Sequence, residues 1–275
     1  MNPVIKLGKV HVIYDQKCVL EVVELEVFEG EKVFVLGRSG SGKTTLARLI
    51  KGRIKPNSGQ VRVFDQDPAA SDPKQRRAFQ HRVAMIDQEF YLIPRYTVIS
   101  NVLSGSLGRV SAWKSMFGWY PESEWSKAES ILDEVELSGL GERKVETLSG
   151  GQRQRVAIAR ALMQEAEIIL ADEPISNLDP GLGEDALQLL VQCVERRGVT
   201  LIINLHQPVL ARRFASRFIG LSDGEVVYDG SPQGLEEYGT EFVYRSTAQT
   251  KDRALSPVNQ SSETKKVSLL RKKGS

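Results

Sequence analysis

The sequence predicts an α/β fold: an open sheet with a β-rich N-terminal part and a helical stretch inserted into its middle. Three observations carry that expectation. Short apolar runs at 33–36, 83–86, 168–171 and 199–205 stop at a glycine or a polar residue and alternate with helix-patterned segments, as buried strands of an α/β sheet do. Residues 4–36 alternate apolar and polar side chains, the period of strands with one buried face. From Glu89 to about Arg160 the strand patterns vanish and helical periodicity takes over.

Taken in order, residues 4–5, 10–14, 19–28 and 32–36 read as short strands, with turns at Asp15-Gln16-Lys17 and Glu29-Gly30-Glu31. Leu46, Leu49 and Ile50 recur at helical spacing and predict a helix over 43–52, followed by a turn at Pro56-Asn57-Ser58-Gly59 and a strand over 61–64. Residues 73–80 predict a short basic helix with Pro73 in its first turn. Helices are also predicted over 97–104, 122–135 and 150–163. Between the first two of these, residues 105–121 gather Trp113, Met116, Phe117, Trp119 and Tyr120. These form either a protein-facing surface or a cover for the chain's own helical segment. Asp179-Pro180 opens a long helix, with Asp179 as N-cap and proline in its favoured first position, and Gly198 ends it. Residues 218–221 and 225–228 predict a hairpin across Ser222-Asp223-Gly224. Beyond about Glu241 periodicity is lost. Residues 251–275 hold seven basic and two acidic side chains in a chain of net charge +2. Such a tail is expected to be disordered, with attraction to an anionic membrane surface as the alternative.

Bulk properties narrow the class. With 275 residues, 41% apolar and 26% charged, the chain can bury one large core or two small ones. A net charge of +2 is too small to argue for nucleic acid. Cys18 and Cys193 each sit in an apolar pattern and are expected to be small core residues rather than a disulfide or metal ligands. Met1-Asn2-Pro3-Val4 lacks the basic start and apolar stretch of a secretory signal, and no run approaches the roughly 18–20 apolar residues of a membrane span. If this protein works at a membrane, another subunit does the spanning.

The chemistry concentrates at 33–51. An apolar strand runs into Gly37-Arg38-Ser39-Gly40-Ser41-Gly42-Lys43-Thr44-Thr45 and then into a helix. This is G-x-x-x-x-G-K-[ST] between a strand and a helix, the pattern of a phosphate-binding loop rather than of a simple glycine turn. Gly37, Gly40 and Gly42 let backbone N–H groups approach an anion, and the helix aims its positive end at the same place. Lys43 adds charge for the outer phosphates, and the Thr44 hydroxyl suits Mg²⁺. Such a loop needs a carboxylate for the metal and a group to activate water. Asp172 and Glu173, at the end of a buried strand, supply one of each. His206 follows another apolar strand; it reads as a hydrogen-bonded structural residue or, beside a γ-phosphate, as a partner of the phosphate and of Glu173. Gln88, after the strand at 83–86, is placed to approach the metal or the water. Tyr14, before a polar turn, reads by spacing as an edge-strand aromatic.

Leu148-Ser149-Gly150-Gly151-Gln152 is a second unusual stretch. Ser149 and Gln152 fit a capping box, but two glycines in a first helical turn are costly unless another molecule must approach the backbone closely. A serine hydroxyl and bare N–H groups at a helix start describe a second anion site. A two-fold dimer would pair it with the phosphate loop of another copy.

Together these residues resemble the ATP-binding subunits of ABC transporters. GRSGSGKTT (37–45) is similar to the family's Walker A, LSGGQ (148–152) to its signature, IILADE (168–173) to Walker B and SNLD (176–179) to the D-loop. Gln88 matches the Q-loop glutamine and His206 the H-loop histidine; the likeness runs from about residue 4 to 240. The resemblance implies a P-loop ATPase core with an N-terminal antiparallel β-subdomain and an inserted α-helical subdomain. Residues 1–88 would hold the β-subdomain and the first part of the core, 89–160 the helical subdomain, 161–240 the rest of the core, and 241–275 the basic tail. It implies ATP and Mg²⁺. Tyr14, now read as the aromatic that stacks on adenine, would bind nucleotide with Gly37, Arg38, Ser39, Gly40, Ser41, Gly42, Lys43, Thr44 and Thr45. Ser149, Gly150, Gly151, Gln152 and Asp179 would join it in a head-to-tail dimer. Glu173, His206, Gln88 and Lys43 would act in catalysis, and Thr44, Gln88 and Asp172 would hold the metal. Integral membrane permease subunits would dock near the Q-loop, a solute-binding protein would act through them, and no nucleic acid is expected. The chain would lie peripherally on the cytoplasmic face of the inner membrane.

Within that family, residues 107–122, 169–180 and 204–230 carry a likeness to the phosphonate-importer ATPases, which implies uptake of a small anionic solute such as phosphonate or phosphite. An importer of another solute, or a soluble ABC ATPase that moves no cargo, is the alternative. The latter fits poorly with a single ATPase unit lacking a coiled-coil insertion, and a P-loop kinase has no use for LSGGQ. Asn177 stands where alanine is commoner, and Asp87 and Glu89 flank Gln88 with unusual acidity.

Overall fold

The computed structural model describes residues 2–110, 118–176, 178–238 and 243–244. The expected α/β class is the one observed. The strands are β1 (Pro3–Tyr14), β2 (Lys17–Phe28), β3 (Lys32–Leu36), β4 (Ser58–Val63), β5 (Val83–Ile86), β6 (Ile168–Asp172), β7 (Thr200–Leu205), β8 (Arg217–Ser222) and β9 (Glu225–Gly230). The helices are α1 (Lys43–Ile50), α2 (Pro73–Arg82), α3 (Val98–Leu103), α4 (Glu122–Glu134), α5 (Gly150–Met163), α6 (Pro180–Arg197), α7 (Pro208–Ala211) and α8 (Pro232–Tyr238). Among the described residues no helix is long and apolar enough to cross a membrane.

The nine strands of the described residues belong to one sheet, ordered β4-β1-β2-β9-β8-β3-β7-β6-β5. β1, β2 and β4 pair antiparallel, whereas β8, β3, β7, β6 and β5 run parallel. The two regions meet where β2 pairs with β9 through Glu21 and Glu225. β6 and β7 are buried along their whole length, as strands covered on both faces must be. Successive residues feed two cores. Phe34, Leu36, Ile169 and Ala171 face the one that contains α3, α4 and α5; Val33, Val35, Ile168 and Leu170 face the one built on α1 and the N-terminal strands.

Several local expectations need correction. The runs 4–5 and 10–14 are one strand of 12 residues. Lys9 adopts a positive φ of 52° there and the pairing with β4 slips between Gly8 and His11, so a bulge interrupts the apolar alternation without ending the strand. The β1–β2 hairpin closes through Asp15 and Gln16, both at positive φ, and pairs Tyr14 with Lys17. Cys18 is exposed; only Cys193 is a buried core thiol. Asp179 does occupy the N-cap position of α6, but its side chain makes no capping hydrogen bond. Gly198 ends that helix in the left-handed conformation, as its position predicts. Of the aromatic cluster at 105–121, Trp113, Met116 and Phe117 lie outside the described residues. Tyr120 packs edge-on against Trp125 and Trp119 is exposed. The basic tail at 251–275 also lies outside them.

One ion-pair cluster ties the helical segment to the core. Glu134, the last residue of α4, receives hydrogen bonds from Arg197 at 2.7 and 2.5 Å and from Arg196 at 2.6 Å, both at the end of α6. The Arg197 bonds, helped by those of Arg196 and opposed by partial burial, pull the Glu134 carboxyl down to about 2 from 4.5. A depressed carboxyl contributes stability that is present above its unfolded value and lost as pH falls through its folded value. A Glu134→Gln protein is therefore expected to melt a few degrees below wild type at pH 7. The gap should close as pH is lowered from about 5 towards about 2. Thermal melts across that range check it.

Candidate functional site

Parallel register builds the site. Leu36 pairs with Leu205 across β3 and β7, so Gly37 and His206 leave the sheet side by side. Asp172 pairs with Asn204 across β6 and β7, which sets Glu173 beside them. Ligands of open α/β sheets collect at such strand ends.

The loop that leaves β3 is packed so tightly that side chains are excluded. A Cβ on Gly37 would lie 2.3 Å from the Leu221 carbonyl oxygen. Gly42 has φ of 103°, and a Cβ there would lie 2.9 Å from the Val19 carbonyl oxygen. This close approach brings the β1–β2 hairpin, which carries Tyr14, against the loop. Tyr14 itself is 46% exposed at the end of β1. Arg38, Ser39 and Gly40 are exposed, Ser41 is buried, and Thr44 and Thr45 are half-buried. No side chain caps α1, so its first N–H groups face the loop. Among the described residues the buried Ser41 hydroxyl oxygen has no hydrogen-bond partner. An orphaned hydroxyl beside uncapped N–H groups fits a loop shaped for an anion.

Lys43 is 3% exposed and lies across the loop. Its ammonium donates to the carbonyl oxygens of Gly37 and Arg38, both at 2.9 Å, and sits 3.9 Å from a Glu173 oxygen. Burial lowers its pKa, and the charges of Glu173 and Asp172 oppose that shift. The Thr44 hydroxyl donates to Asp172 Oδ1 at 3.2 Å, and the buried Asn204 amide donates to the same oxygen at 2.7 Å. A hydroxyl and a carboxylate focused on one point form an oxygen-only donor set that suits Mg²⁺. Among the described residues no cluster of three His, Cys, Asp or Glu side chains gathers to hold a metal by itself. The remaining ligands of such an ion would come from phosphate and water.

Glu173 stands at φ of 51°, a strained backbone for a residue with a Cβ. Its N–H donates to the Asn204 carbonyl at 3.1 Å, and its own carbonyl accepts from the Ser176 hydroxyl at 3.1 Å and the Ser176 N–H at 3.2 Å. The turn swings the carboxylate across β7 to 2.5 Å from His206 Nε2. The other ring nitrogen, Nδ1, lies 3.0 Å from the Gly37 carbonyl oxygen. The Lys43 ammonium lies 3.5 Å from the same nitrogen, so Nδ1 donates to that carbonyl or accepts from the ammonium according to its tautomer. His206 thus bridges the loop and Glu173.

Gln88 lies exposed, two residues past β5. The acidic residue before it has a specific job: Asp87 accepts two bonds from the Arg53 guanidinium, at 2.7 and 3.2 Å, linking the segment after α1 to the start of the Gln88 loop. The next turn is strained, with Phe90 and Tyr91 at φ of 59° and 43°. Arg160 of α5 holds it by donating to the carbonyls of Phe90 and, at 2.8 Å, Tyr91.

Ser149 caps α5 in a full capping box. Its hydroxyl accepts from the Gln152 N–H at 3.3 Å, and the Gln152 side chain accepts from the Ser149 N–H at 3.0 Å. Gly150 and Gly151 follow in the first turn, beside Leu178 and Leu182. Among the described residues no hydrogen bond or ion pair joins 149–152 to the 37–45 loop. The structure thus brings Lys43, Thr44, Asp172, Glu173 and His206 together in one chain, and leaves Ser149, Gly150, Gly151, Gln152 and the exposed Asp179 out of that group. Sequence reasoning missed Asn204 and Arg53. Asn204 carried a usable signal, an amide in the middle of a fully buried strand; Arg53 carried none.

Comparison with known proteins bears on the family and the fold. The ABC transporter family profile matches residues 20–176. A phosphonates import ATP-binding protein, PhnC 2, of Synechococcus sp. (strain JA-2-3B'a(2-13)) is 42% identical over 81% of this chain and 85% of its own. The PhnC protein of Ruegeria pomeroyi is 38% identical over 92% of both chains. Among solved structures, the dimeric bacterial ABC transporter cassette MJ0796 is 34% identical and superposes with a TM-score of 0.70, covering 83% of this chain and 98% of its own. CbiO1 from Clostridium perfringens shares the fold at a TM-score of 0.76 and 24% identity, covering 86% of this chain and 92% of its own.

Proposed function

The chain belongs to the ABC transporter family, and from that premise we propose that it drives uptake of a small phosphorus oxyanion, phosphonate or phosphite. It is the ATP-hydrolysing subunit of an ABC importer. The observation that carries the site assignment is the meeting of Lys43, Thr44, Asp172, Glu173 and His206 at the ends of β3, β6 and β7. The cargo rests on likeness to the phosphonate-import proteins.

In the proposed mechanism the phosphate chain of ATP replaces the loop's own contacts. Lys43 exchanges the Gly37 and Arg38 carbonyls for phosphate oxygens, and the uncapped N–H groups of α1 and the Ser41 hydroxyl bind the same anion. Tyr14 stacks on the adenine. Thr44, Asp172 and Gln88 would hold a Mg²⁺ ion, whose charge would offset that of the phosphates. Glu173 accepts a proton from the attacking water, and His206 holds Glu173 in place and faces the γ-phosphate. Ser149, Gly150, Gly151, Gln152 and Asp179 of a second copy close the site, so that two ATP molecules lie in a head-to-tail dimer. Closure of the dimer is then passed, through Gln88, to membrane permease subunits docked near the helical segment. A solute-binding protein delivers cargo to the permease, and the ATPase sits peripherally on the cytoplasmic face of the inner membrane.

Reconstitution tests the cargo. Vesicles carrying this ATPase with its permease subunits should hydrolyse ATP several-fold faster when a binding protein loaded with a phosphonate or phosphite is supplied. Stimulation by a chemically different solute alone, or recovery of the ATPase with ribosomes or DNA instead of hydrophobic subunits, would sink that assignment.

A further inference from the structure

We propose that Tyr244 is a positioning residue for hydrolysis, acting through the backbone of His206; the inference rests on the role assigned to His206 above. β7 ends at Leu205, so the carbonyl of His206 is the first in that strand beyond the ladder. Among the described residues its hydrogen-bond donor is the phenol of Tyr244, at 2.9 Å. That phenol is half-buried against the large core, and burial raises its pKa to about 12, so it stays a donor throughout the physiological range.

The tyrosine is itself held in place. Val243 is fully buried in a notch above Gly220 of β8. A Cβ on Gly220 would come within 2.7 Å of the Val243 side chain, so the notch exists because residue 220 is glycine. The valine fixes the backbone, the backbone fixes the phenol, and the phenol fixes the peptide that follows His206. The imidazole must meet two targets at once, the Gly37 carbonyl at 3.0 Å and the Glu173 carboxylate at 2.5 Å. A ring leaving the end of a strand reaches both only if its own backbone is held, and 2.9 Å from the phenol is where that restraint is applied. Val243 and Tyr244 lie beyond α8, well past residues 20–176 that define the family match.

Steady-state ATPase kinetics on the full chain test this. Tyr244→Phe keeps the ring and removes one hydrogen bond, so kcat should fall about fivefold while KM for ATP stays within about twofold. The melting temperature should stay within about 2 °C of wild type. In a His206→Ala background the same substitution should have no further effect on the residual rate, because its only route runs through that side chain. Val243→Asp, which expels the plug, should reproduce the kcat loss. An unchanged kcat in Tyr244→Phe, or an equal fold-loss with and without the imidazole, would overturn the positioning role and leave Tyr244 as packing. A wild-type rate in His206→Ala would overturn both this inference and the assignment of His206, whereas a loss confined to His206→Ala would overturn this one alone.

Discussion

Glu173→Gln is expected to reduce ATP turnover by about a hundredfold to ten-thousandfold, the usual contribution of a positioned general base. Nucleotide binding should survive. The amide is the same size as the carboxylate, it can still meet His206, and Lys43, Thr44 and Asp172 are untouched. Removing a negative charge 3.9 Å from Lys43 should, if anything, favour the incoming phosphates. The protein would then bind ATP without consuming it, and the head-to-tail dimer should persist. Phosphate release under single-turnover conditions reads the first effect. Size-exclusion chromatography with and without ATP reads the second. Loss of hydrolysis with no ATP-dependent dimer would refute the proposed coupling of site closure to dimerisation.

How much of this could be read from the sequence depends on how local each feature is. The phosphate loop was fully legible because its glycines answer a backbone requirement inside nine consecutive residues, and the structure shows why: Gly37 and Gly42 have carbonyl oxygens where a side chain would stand. The buried strands β6 and β7 were legible because both faces are covered and the runs are apolar but for Thr200 and Asn204 in β7 and Asp172 at the end of β6. The bulge at Lys9 split one strand into two, since a single extra residue shifts the alternation to the other face. Cys18 misled for a related reason. Val19 and Leu20 follow it, but it sits beside Lys17 at the open start of β2, where burial has not begun. The links that position the site were mostly illegible. Arg53 and Asp87 are 34 residues apart, and Tyr244 and His206 are 38 apart. In each case one partner is a common surface residue type or a backbone carbonyl, which leaves no periodic trace. Asp87 looked unusual as a neighbour of Gln88, but only the folded chain supplies the guanidinium that accounts for it.

Mixing two inactive proteins should restore ATPase activity. Lys43→Ala removes the ammonium from the loop, and Gly151→Asp places a carboxylate at the start of α5. The second substitution is well suited to the test. A Cβ at Gly151 meets nothing closer than Leu182 at 3.9 Å, and a negative charge in the first turn of a helix favours the helix, so folding should not suffer. The same charge would face the γ-phosphate of a neighbour's ATP and repel it. Each protein alone carries one defective half in both of its composite sites and should be nearly inactive. In a mixed dimer, one site joins the Lys43→Ala loop to the Gly151→Asp helix start and is doubly broken. The other joins an intact loop to an intact helix start. Random pairing at equal concentrations makes half of the dimers mixed, so activity should return to about a quarter of wild type if the sites work independently. A chain carrying both substitutions has no intact half to lend; in excess it should suppress wild-type activity instead of adding to it. Steady-state phosphate release across a titration of the two proteins measures the recovery. A flat, inactive line would mean that the loop and the Ser149 helix start do not share a nucleotide across the dimer, and a fully active Gly151→Asp protein would mean that this helix start meets no phosphate at all.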